Sequence, residues 1–342
     1  MRYVNIRERQ QEVSFAEAVV KGLGTGRGLF FPRKLPPLAD LPKLLEMDFV
    51  SRSTHILEHL SGEQDLGDRV SAAFNFPLPL VQVSEHIFAL ELFHGPSLAF
   101  KDFGARFMAQ CLGVFSRGDK VTILTATSGD TGAAVALAFH GQPGIEVVVL
   151  YPRGKVSPLQ EKLFCTLGGN VRTLAVEDDF DACQDLVKQS FEDRELVQAL
   201  GLNSANSINV ARLLAQVCYY FEAVARLPAG TQPVFAVPSG NFGNVTAGLM
   251  AYVIGLPASR VIAATNVNDT VPRYFRSNRW DPRPTVATLT NAMDISQPNN
   301  FPRVLEMERN HGLDLRKLLT SFAIDDSQTR AAVSALDEAG YL

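Results

Sequence analysis

Short apolar runs alternate with longer amphipathic stretches through most of the chain. Runs rich in β-branched residues predict five buried strands, at residues 121–127, 145–151, 171–176, 234–237 and 261–265. Stretches with helical spacing predict six helices, at residues 105–115, 131–140, 158–167, 180–191, 208–225 and 244–254. Strands that alternate with helices in this way predict an α/β fold with parallel sheets covered by helices on both faces.

Residues 1–85 carry a different pattern, which is mainly helical. Ser14 stands three positions before Glu17, ahead of an apolar-periodic stretch. This spacing predicts a capping box at the start of a helix.

Composition narrows the classes of function. With 342 residues, 46% hydrophobic and 20% charged, the chain is typical of a globular protein of more than one domain. A net charge of −4 gives no basic footprint for nucleic acid, and the apolar runs are too short to cross a bilayer. The four cysteines are far apart and the N-terminus is polar, so we expect a cytoplasmic protein without disulfides or a signal peptide.

Lys101 lies in a largely apolar stretch, Leu-Ala-Phe-Lys-Asp-Phe-Gly, where burial of the ammonium lowers a lysine pKa and improves its nucleophilicity. Alone, the composition of this stretch favours a lysine at a loop-to-helix junction with its head group in water. The choice between the two depends on the rest of the chain.

Two polar turns follow predicted strands. The first, Thr-Ser-Gly-Asp-Thr-Gly at residues 127–132, opens a predicted helix and predicts an anion site at the helix N-terminus, although ordinary capping explains part of it. The second, Ser-Gly-Asn-Phe-Gly-Asn at residues 239–244, has two glycines that let backbone N–H groups converge on a phosphate. It is neither a P-loop nor a Rossmann fingerprint.

Taken together, these motifs resemble the threonine synthase family of pyridoxal-phosphate (PLP) enzymes of fold-type II. The resemblance runs along the whole chain and is densest at residues 92–108, 121–135, 157–169, 203–212, 238–243, 263–273 and 297–302. It implies conversion of O-phosphohomoserine and water to threonine and phosphate. It also implies two parallel-sheet lobes: a large lobe at residues 86–103 and 206–342, with a small lobe at 104–205 inserted, after the N-terminal region at 1–85.

The resemblance also assigns roles to residues. It implies that Lys101 forms the internal aldimine with PLP and that the cofactor phosphate is held by Gly240, Asn241, Phe242, Gly243 and Asn244, with Asp130 near the cofactor's 3′-oxygen. Substrate binding falls on two groups. The α-carboxylate is assigned to Thr127, Ser128 and Thr131. The substrate phosphate is assigned to Asn206, Ser207 and Arg212, and a helix that starts near Ser207 would bring Ser207 and Arg212 to one anion.

Three alternatives stay open at this point. A phospho-lyase of the same fold would release 2-oxobutyrate instead of threonine. His55 and His59 satisfy the H-x-x-E-H pattern of a zinc peptidase, although the polar face of a helix explains them better. The chain ends at Leu342, before the family's late strand and the threonine that approaches the PLP ring nitrogen, so we expect an incomplete large lobe and weak activity, or a non-catalytic remnant. The sequence leaves the oligomeric state open.

Overall fold

The computed structural model describes residues 1–116 and 118–341, together with all their side chains except that of Asp181. Its contacts divide the chain into two compact units. The first unit consists of Met1–Lys34, Asp48–Leu78 and Leu92–Gln216, and the second of Leu35–Met47, Pro79–Glu91 and Val217–Leu342. These units are defined by contacts within the chain, whereas the three regions predicted from the sequence follow the lobes of the family. The three predicted regions therefore stay a prediction. Leu342, where the last of them ends, lies outside the described residues.

The first unit opens with a small antiparallel sheet and three helices. The strands lie in the order β2-β1-β3, with bounds β1 (Tyr3–Asn5), β2 (Glu12–Val13) and β3 (Phe30–Pro32). The helices are α1 (Phe15–Lys21), α3 (Phe49–Ser61) and α4 (Gly67–Ala73). The predicted capping box is confirmed, because the Glu17 N–H donates to Ser14 Oγ at 3.2 Å and the Ser14 N–H donates to Glu17 Oε2 at 2.7 Å.

A four-stranded parallel sheet forms the centre of the first unit, in the order β8-β7-β6-β9. Its strands are β6 (Val121–Ala126), β7 (Ile145–Pro152), β8 (Val171–Val176) and β9 (Leu202–Asn203). The accompanying helices are α5 (Lys101–Phe115), α6 (Asp130–Phe139), α7 (Pro158–Cys165), α8 (Phe180–Glu192) and α9 (Arg194–Leu200). Helix α10 (Val210–Ala225) belongs to the first unit up to Gln216 and to the second unit from Val217. All six residues of β6 are buried, so both faces of this strand are covered.

The second unit holds a three-stranded parallel sheet and an antiparallel hairpin. The sheet has the order β10-β11-β12, with bounds β10 (Val234–Pro238), β11 (Arg260–Thr265) and β12 (Leu319–Ala323), and the hairpin pairs β4 (Leu80–Ser84) with β5 (Ile87–Leu90). The helices are α2 (Leu41–Glu46), α11 (Gly243–Val253), α12 (Thr270–Ser277), α13 (Phe301–Asn310), α14 (Leu315–Leu318) and α15 (Asp326–Glu338).

All five predicted strands and all six predicted helices are present, so the α/β fold with parallel sheets is confirmed. Two helix starts were predicted wrongly in ways that matter for function. Helix α5 begins at Lys101 instead of Ala105, and α10 begins at Val210, after the predicted start near Ser207. Among the described residues, no helix is long and apolar enough to cross a membrane.

Candidate active site

Lys101 is the first residue of α5 and makes an ion pair inside the first unit. Its Nζ lies 2.6 Å from Asp130 Oδ1, and each of the two side chains is only 17% exposed. A lysine whose head group is held this way is not the solvated lysine of the alternative interpretation. The contact brings together two predicted site residues that are 29 positions apart in sequence.

Aromatic packing fixes the start of α5. Phe103 is fully buried, and its ring lies 4.8 Å from that of Phe76 and 5.4 Å from that of Phe74, centroid to centroid. Phe49 of α3 completes the cluster at 6.2 Å. Because aromatic side chains bury large apolar areas, this cluster anchors the turn from which Lys101 projects.

Asp102, which follows Lys101 directly, is a site residue that was not predicted from the sequence. Its side chain is fully buried, and its Oδ2 accepts the Ser97 N–H at 2.9 Å. Burial raises the pKa of the Asp102 carboxyl, while the hydrogen bond from the Ser97 N–H opposes the shift. The signal available in the sequence was a carboxylate placed inside an apolar stretch, where an unpaired charge is costly.

The turn that follows β6 is organised by Thr127. Its buried Oγ1 accepts the N–H groups of Gly129 at 2.9 Å and of Gly132 at 2.8 Å. Thr127 therefore shapes the turn by its own hydroxyl, and its contact with a substrate carboxylate stays a prediction. Ser128 and Thr131 are half-buried on either side of the turn's centre.

Of the first three N–H groups of α6, that of Gly132 donates to Thr127 Oγ1, while those of Asp130 and Thr131 come before the first hydrogen bond within the helix, as at any helix start. The turn can therefore present N–H groups to an anion, and the anion site itself stays a prediction.

Arg212 is the most deeply placed cation of the first unit, at 2% exposure. Its Nη1 donates to the Ala205 carbonyl at 2.5 Å, and its Nε has no hydrogen-bond partner among the described residues. Burial lowers the pKa of Arg212 to about 10, and the carboxylates of Asp130 and Asp102 oppose that shift. The guanidinium thus stays charged at neutral pH and keeps a donor for an anion.

Asn206 and Ser207 do not lie on the helix that carries Arg212. They lie in the preceding turn, and the Asn209 side chain accepts the Ala211 N–H as α10 begins. The Arg212 guanidinium folds back to the carbonyl of Ala205, next to Asn206. Arg212 is therefore brought near Asn206 by its own side chain and not by a shared turn of helix. Asn206 is held in turn by the Thr125 hydroxyl, which donates to its Oδ1 at 2.8 Å.

The glycine-containing turn lies in the second unit, between β10 and α11. Phe242 adopts left-handed backbone angles (φ +58°) as the last residue before α11, and its phenyl ring cannot accept the helix's first N–H groups. At Gly240 a Cβ atom would lie 2.8 Å from Met293 Cα, so only glycine allows this approach. A tight turn that opens an 11-residue helix fits the phosphate of PLP by its backbone N–H groups alone.

Neighbouring residues hold both ends of this turn. The Asn241 side-chain oxygen accepts the Asn299 N–H at 2.5 Å, and its backbone carbonyl accepts the Asn300 N–H at 3.3 Å. At the other end, the buried hydroxyls of Tyr219 and Tyr220 donate to Asn244 Oδ1 at 2.8 and 2.7 Å. Sequence reasoning missed the tyrosines, whose only signal was their place in an apolar helix.

Two further groups of polar side chains have structural explanations. The side chains of Asn266 and Asn268 bond to each other and to Asp294, which occupies them in a buried network after β11. His55 and His59 lie on α3, and His55 Nδ1 is 3.1 Å from the Ser51 carbonyl. Within residues 1–116 and 118–341, no group of three or more His, Cys, Asp or Glu side chains could hold a metal ion.

Comparisons with known proteins agree with the resemblance. Residues 74–342 match the family described as pyridoxal-phosphate dependent enzyme, and residues 2–73 match the family described as threonine synthase N terminus. The chain is 59% identical to threonine synthase from Haemophilus influenzae and 58% identical to that from Escherichia coli. Both alignments cover all of this chain, and 82% and 81% of the respective relatives.

Solved structures give the same result. The crystal structure of threonine synthase from Escherichia coli superposes with a TM-score of 0.95 at 58% identity, covering all of this chain and 81% of that one. The PLP-bound threonine synthase from Brucella melitensis gives a TM-score of 0.94 at 34% identity, with 100% and 82% coverage. The fold-type II fold and the PLP cofactor expected from the sequence are therefore confirmed, and the chain belongs to the threonine synthase family of PLP-dependent carbon–oxygen lyases.

Proposed function

We propose that this chain takes O-phosphohomoserine as its substrate and, with water, converts it to threonine and phosphate at a site that includes Lys101, Asp130 and Arg212. The observation that carries this proposal is the position of Asp130, which contacts Lys101 and opposes the lowering of the Arg212 pKa by burial. A reactive amine and a phosphate-binding guanidinium thus share one carboxylate.

The cofactor would be held by two sets of residues. Lys101 supplies the amine for its covalent attachment, and Gly240, Asn241, Phe242, Gly243 and Asn244 supply backbone N–H groups for its phosphate. When bound, PLP supplies the electron sink for chemistry at the substrate's carbon atoms. In this proposal Asp130 lies near the cofactor as well, since it already contacts the Lys101 amine.

The chain's own residues then bind the substrate and move its protons. Asn206, Ser207 and Arg212 bind the substrate phosphate, since a guanidinium grips phosphate through two parallel hydrogen bonds. Ser128, Thr131 and the N–H groups at the start of α6 bind the α-carboxylate, on the turn that Thr127 shapes. Lys101 Nζ would carry protons between substrate carbons, and Asp130 would stabilise its ammonium form.

Product analysis with matched lysine variants tests the proposal. The protein supplied with PLP and O-phosphohomoserine should form threonine and phosphate in equal amounts, and Lys101→Ala should abolish both products. Lys188→Ala is the control, because Lys188 is an exposed helix lysine paired with Asp185. Parent-level turnover in Lys101→Ala would refute the role of Lys101, and 2-oxobutyrate as the organic product would favour the phospho-lyase alternative.

Two other expectations stay predictions. The cytoplasmic location rests on the sequence alone, as does the absence of nucleic acid and membrane partners.

A further inference from the structure

The proposed reaction leaves one buried charged group next to the reactive lysine without a role. Asp102 is fully buried, and its Oδ1 has no hydrogen-bond partner within the described residues. A buried carboxylate that lacks a full set of partners costs free energy, and a hydrophobic residue at this position of α5 would not carry that cost. Its position therefore calls for an explanation beyond packing.

Asp102 closes the loop from which Lys101 projects. Its Oδ2 accepts the N–H of Ser97 at 2.9 Å, five residues earlier, and its own N–H donates to the Ala99 carbonyl at 3.1 Å. Inside the loop, Leu98 has left-handed backbone angles (φ +58°) and donates to the Gly95 carbonyl at 3.0 Å. Lys101, the first residue of α5, follows this loop directly and precedes Asp102, so any movement of the loop moves the lysine.

The loop is built around the carboxylate at close range. A Cβ atom at Gly95 would lie 2.4 Å from Asp102 Oδ2 and 2.9 Å from its Cβ and Cγ. Glycine at position 95 is therefore required for the carboxylate to occupy its place. Two residues seven positions apart depend on the same contact, and each can be changed without the other.

Charges around Asp102 come from two helices. Arg106 lies one turn further along α5, and Arg212 lies on α10, and both guanidiniums lower the Asp102 pKa against the dominant effect of burial. Arg106 itself donates to the carbonyls of Ala72 and Ala73 at 2.8 Å, so it is already engaged. Asp102 in turn helps to keep Arg212 charged.

We propose that Asp102 is a positioning residue for Lys101: its hydrogen bond to the Ser97 N–H holds the lysine loop closed, so that Nζ is kept where it contacts Asp130. The inference rests on the proposed role of Lys101. Reactions between groups held in place tolerate little error, and a displacement of about 1 Å can cost about 100-fold in rate. The hydrogen bond needs an acceptor oxygen at this position and does not need a negative charge.

The test compares three variants by two rates. Asp102→Ala removes the acceptor, Gly95→Ala displaces it, and Asp102→Asn keeps an acceptor oxygen but no charge. The first rate is that of covalent attachment of PLP to Lys101 in the cofactor-free protein, followed by visible absorption and requiring no substrate. The second is kcat for threonine formation. Asp68→Ala is the control, because Asp68 occupies the corresponding second position of helix α4 but is exposed.

We expect both rates to fall by about 10- to 100-fold in Asp102→Ala and in Gly95→Ala, with KM for O-phosphohomoserine unchanged, and to recover largely in Asp102→Asn. A merely structural role would lower the midpoint of thermal unfolding and leave the attachment rate of the folded protein unchanged. Parent-level rates in Asp102→Ala, or an Asn variant as slow as the Ala variant, would overturn the inference. Failure of the proposed function would appear separately, as a parent protein that attaches PLP but forms no threonine.

Discussion

At the scale of single residues, the site depends on charges kept away from water. Two cations and two carboxylates lie in the site. The side chains of Lys101 and Asp130 are each 17% exposed, and Asp102 and Arg212 are buried. Charges in such surroundings interact more strongly than they do at the surface. A substrate phosphate that reaches Arg212 would therefore meet a guanidinium whose geometry is already fixed by the Ala205 carbonyl.

Replacement of Arg212 by lysine tests that fixed geometry. Lysine carries the same charge but cannot bind phosphate through two parallel hydrogen bonds, and it cannot maintain the same contact with the Ala205 carbonyl while doing so. A hydrogen bond to a charged group is worth about 1.5–3 kcal/mol, so kcat/KM for O-phosphohomoserine should fall by about 10- to 100-fold. The affinity for PLP should hardly change.

Steady-state kinetics and a PLP titration measure the two effects. Arg194→Lys, on an exposed helix arginine, should leave both unchanged. If Arg212→Lys weakened PLP binding alone, or if kcat/KM stayed at the parent value, Arg212 would not belong to the substrate phosphate site.

Among these residues, Lys101 and Arg212 could be predicted from motifs, whereas Asp102 could not be assigned a role. A motif gives the residue type and its spacing, and both cations lie in motifs that resemble those of the family. The role of Asp102 depends on a hydrogen bond to the Ser97 N–H and on the approach of Gly95, which are three-dimensional facts of a loop without periodicity. A carboxylate after a lysine is equally typical of a solvent-exposed acidic residue in the first turn of a helix.

At the scale of secondary structure elements, strands with β-branched runs could be predicted, and the shortest strands could not. Strands β6, β7 and β8 have six to eight residues each and were found from their β-branched runs. The small sheet of β1, β2 and β3 has strands of two or three residues, too short for any period to show. The late start of α10 was not predicted either. Its cap is the side chain of Asn209, and no spacing in the sequence identifies Asn209 as a cap.

The start of α11 gives a prediction at this scale. Tyr219 and Tyr220 fix Asn244, the second residue of that helix, and so fix the N–H groups that we assign to the cofactor phosphate. Tyr220→Phe removes one hydrogen bond, worth about 0.5–1.5 kcal/mol. We therefore expect the dissociation constant for PLP to rise by about 2- to 10-fold, with a small decrease in the midpoint of thermal unfolding.

Fluorescence titration of the cofactor-free protein with PLP measures the change. Tyr252→Phe is a matched control, because Tyr252 lies on α11, the helix that carries Asn244, but is 39% exposed. Equal effects of the two substitutions, or no effect of either, would show that the hydroxyl of Tyr220 does not support the phosphate site.

At the scale of the whole molecule, the reactivity of the four cysteines can be used to follow the unfolding of both compact units. Cys111 and Cys183 are buried in the first unit and Cys218 in the second, whereas Cys165 is exposed. Burial raises the pKa of Cys111 and of Cys183, so these thiols react slowly for two reasons: access is blocked and the thiolate is scarce. The native protein should therefore show one fast-reacting thiol, which Cys165→Ser removes.

The slow thiols then measure how the cofactor stabilises the fold. PLP that binds only the folded state adds about 2.7 kcal/mol at a free concentration of about 100 times Kd, equivalent to about a 100-fold reduction in the open population. If the buried thiols react through unfolding of the whole chain, PLP should slow Cys111, Cys183 and Cys218 by a similar factor, and Lys101→Ala should blunt all three effects. Thiol labelling with and without PLP, read residue by residue by mass spectrometry, checks this. Protection of Cys111 and Cys183 without protection of Cys218 would contradict a single unfolding step and would instead show that the two units open separately, with the cofactor stabilising the unit that carries Lys101.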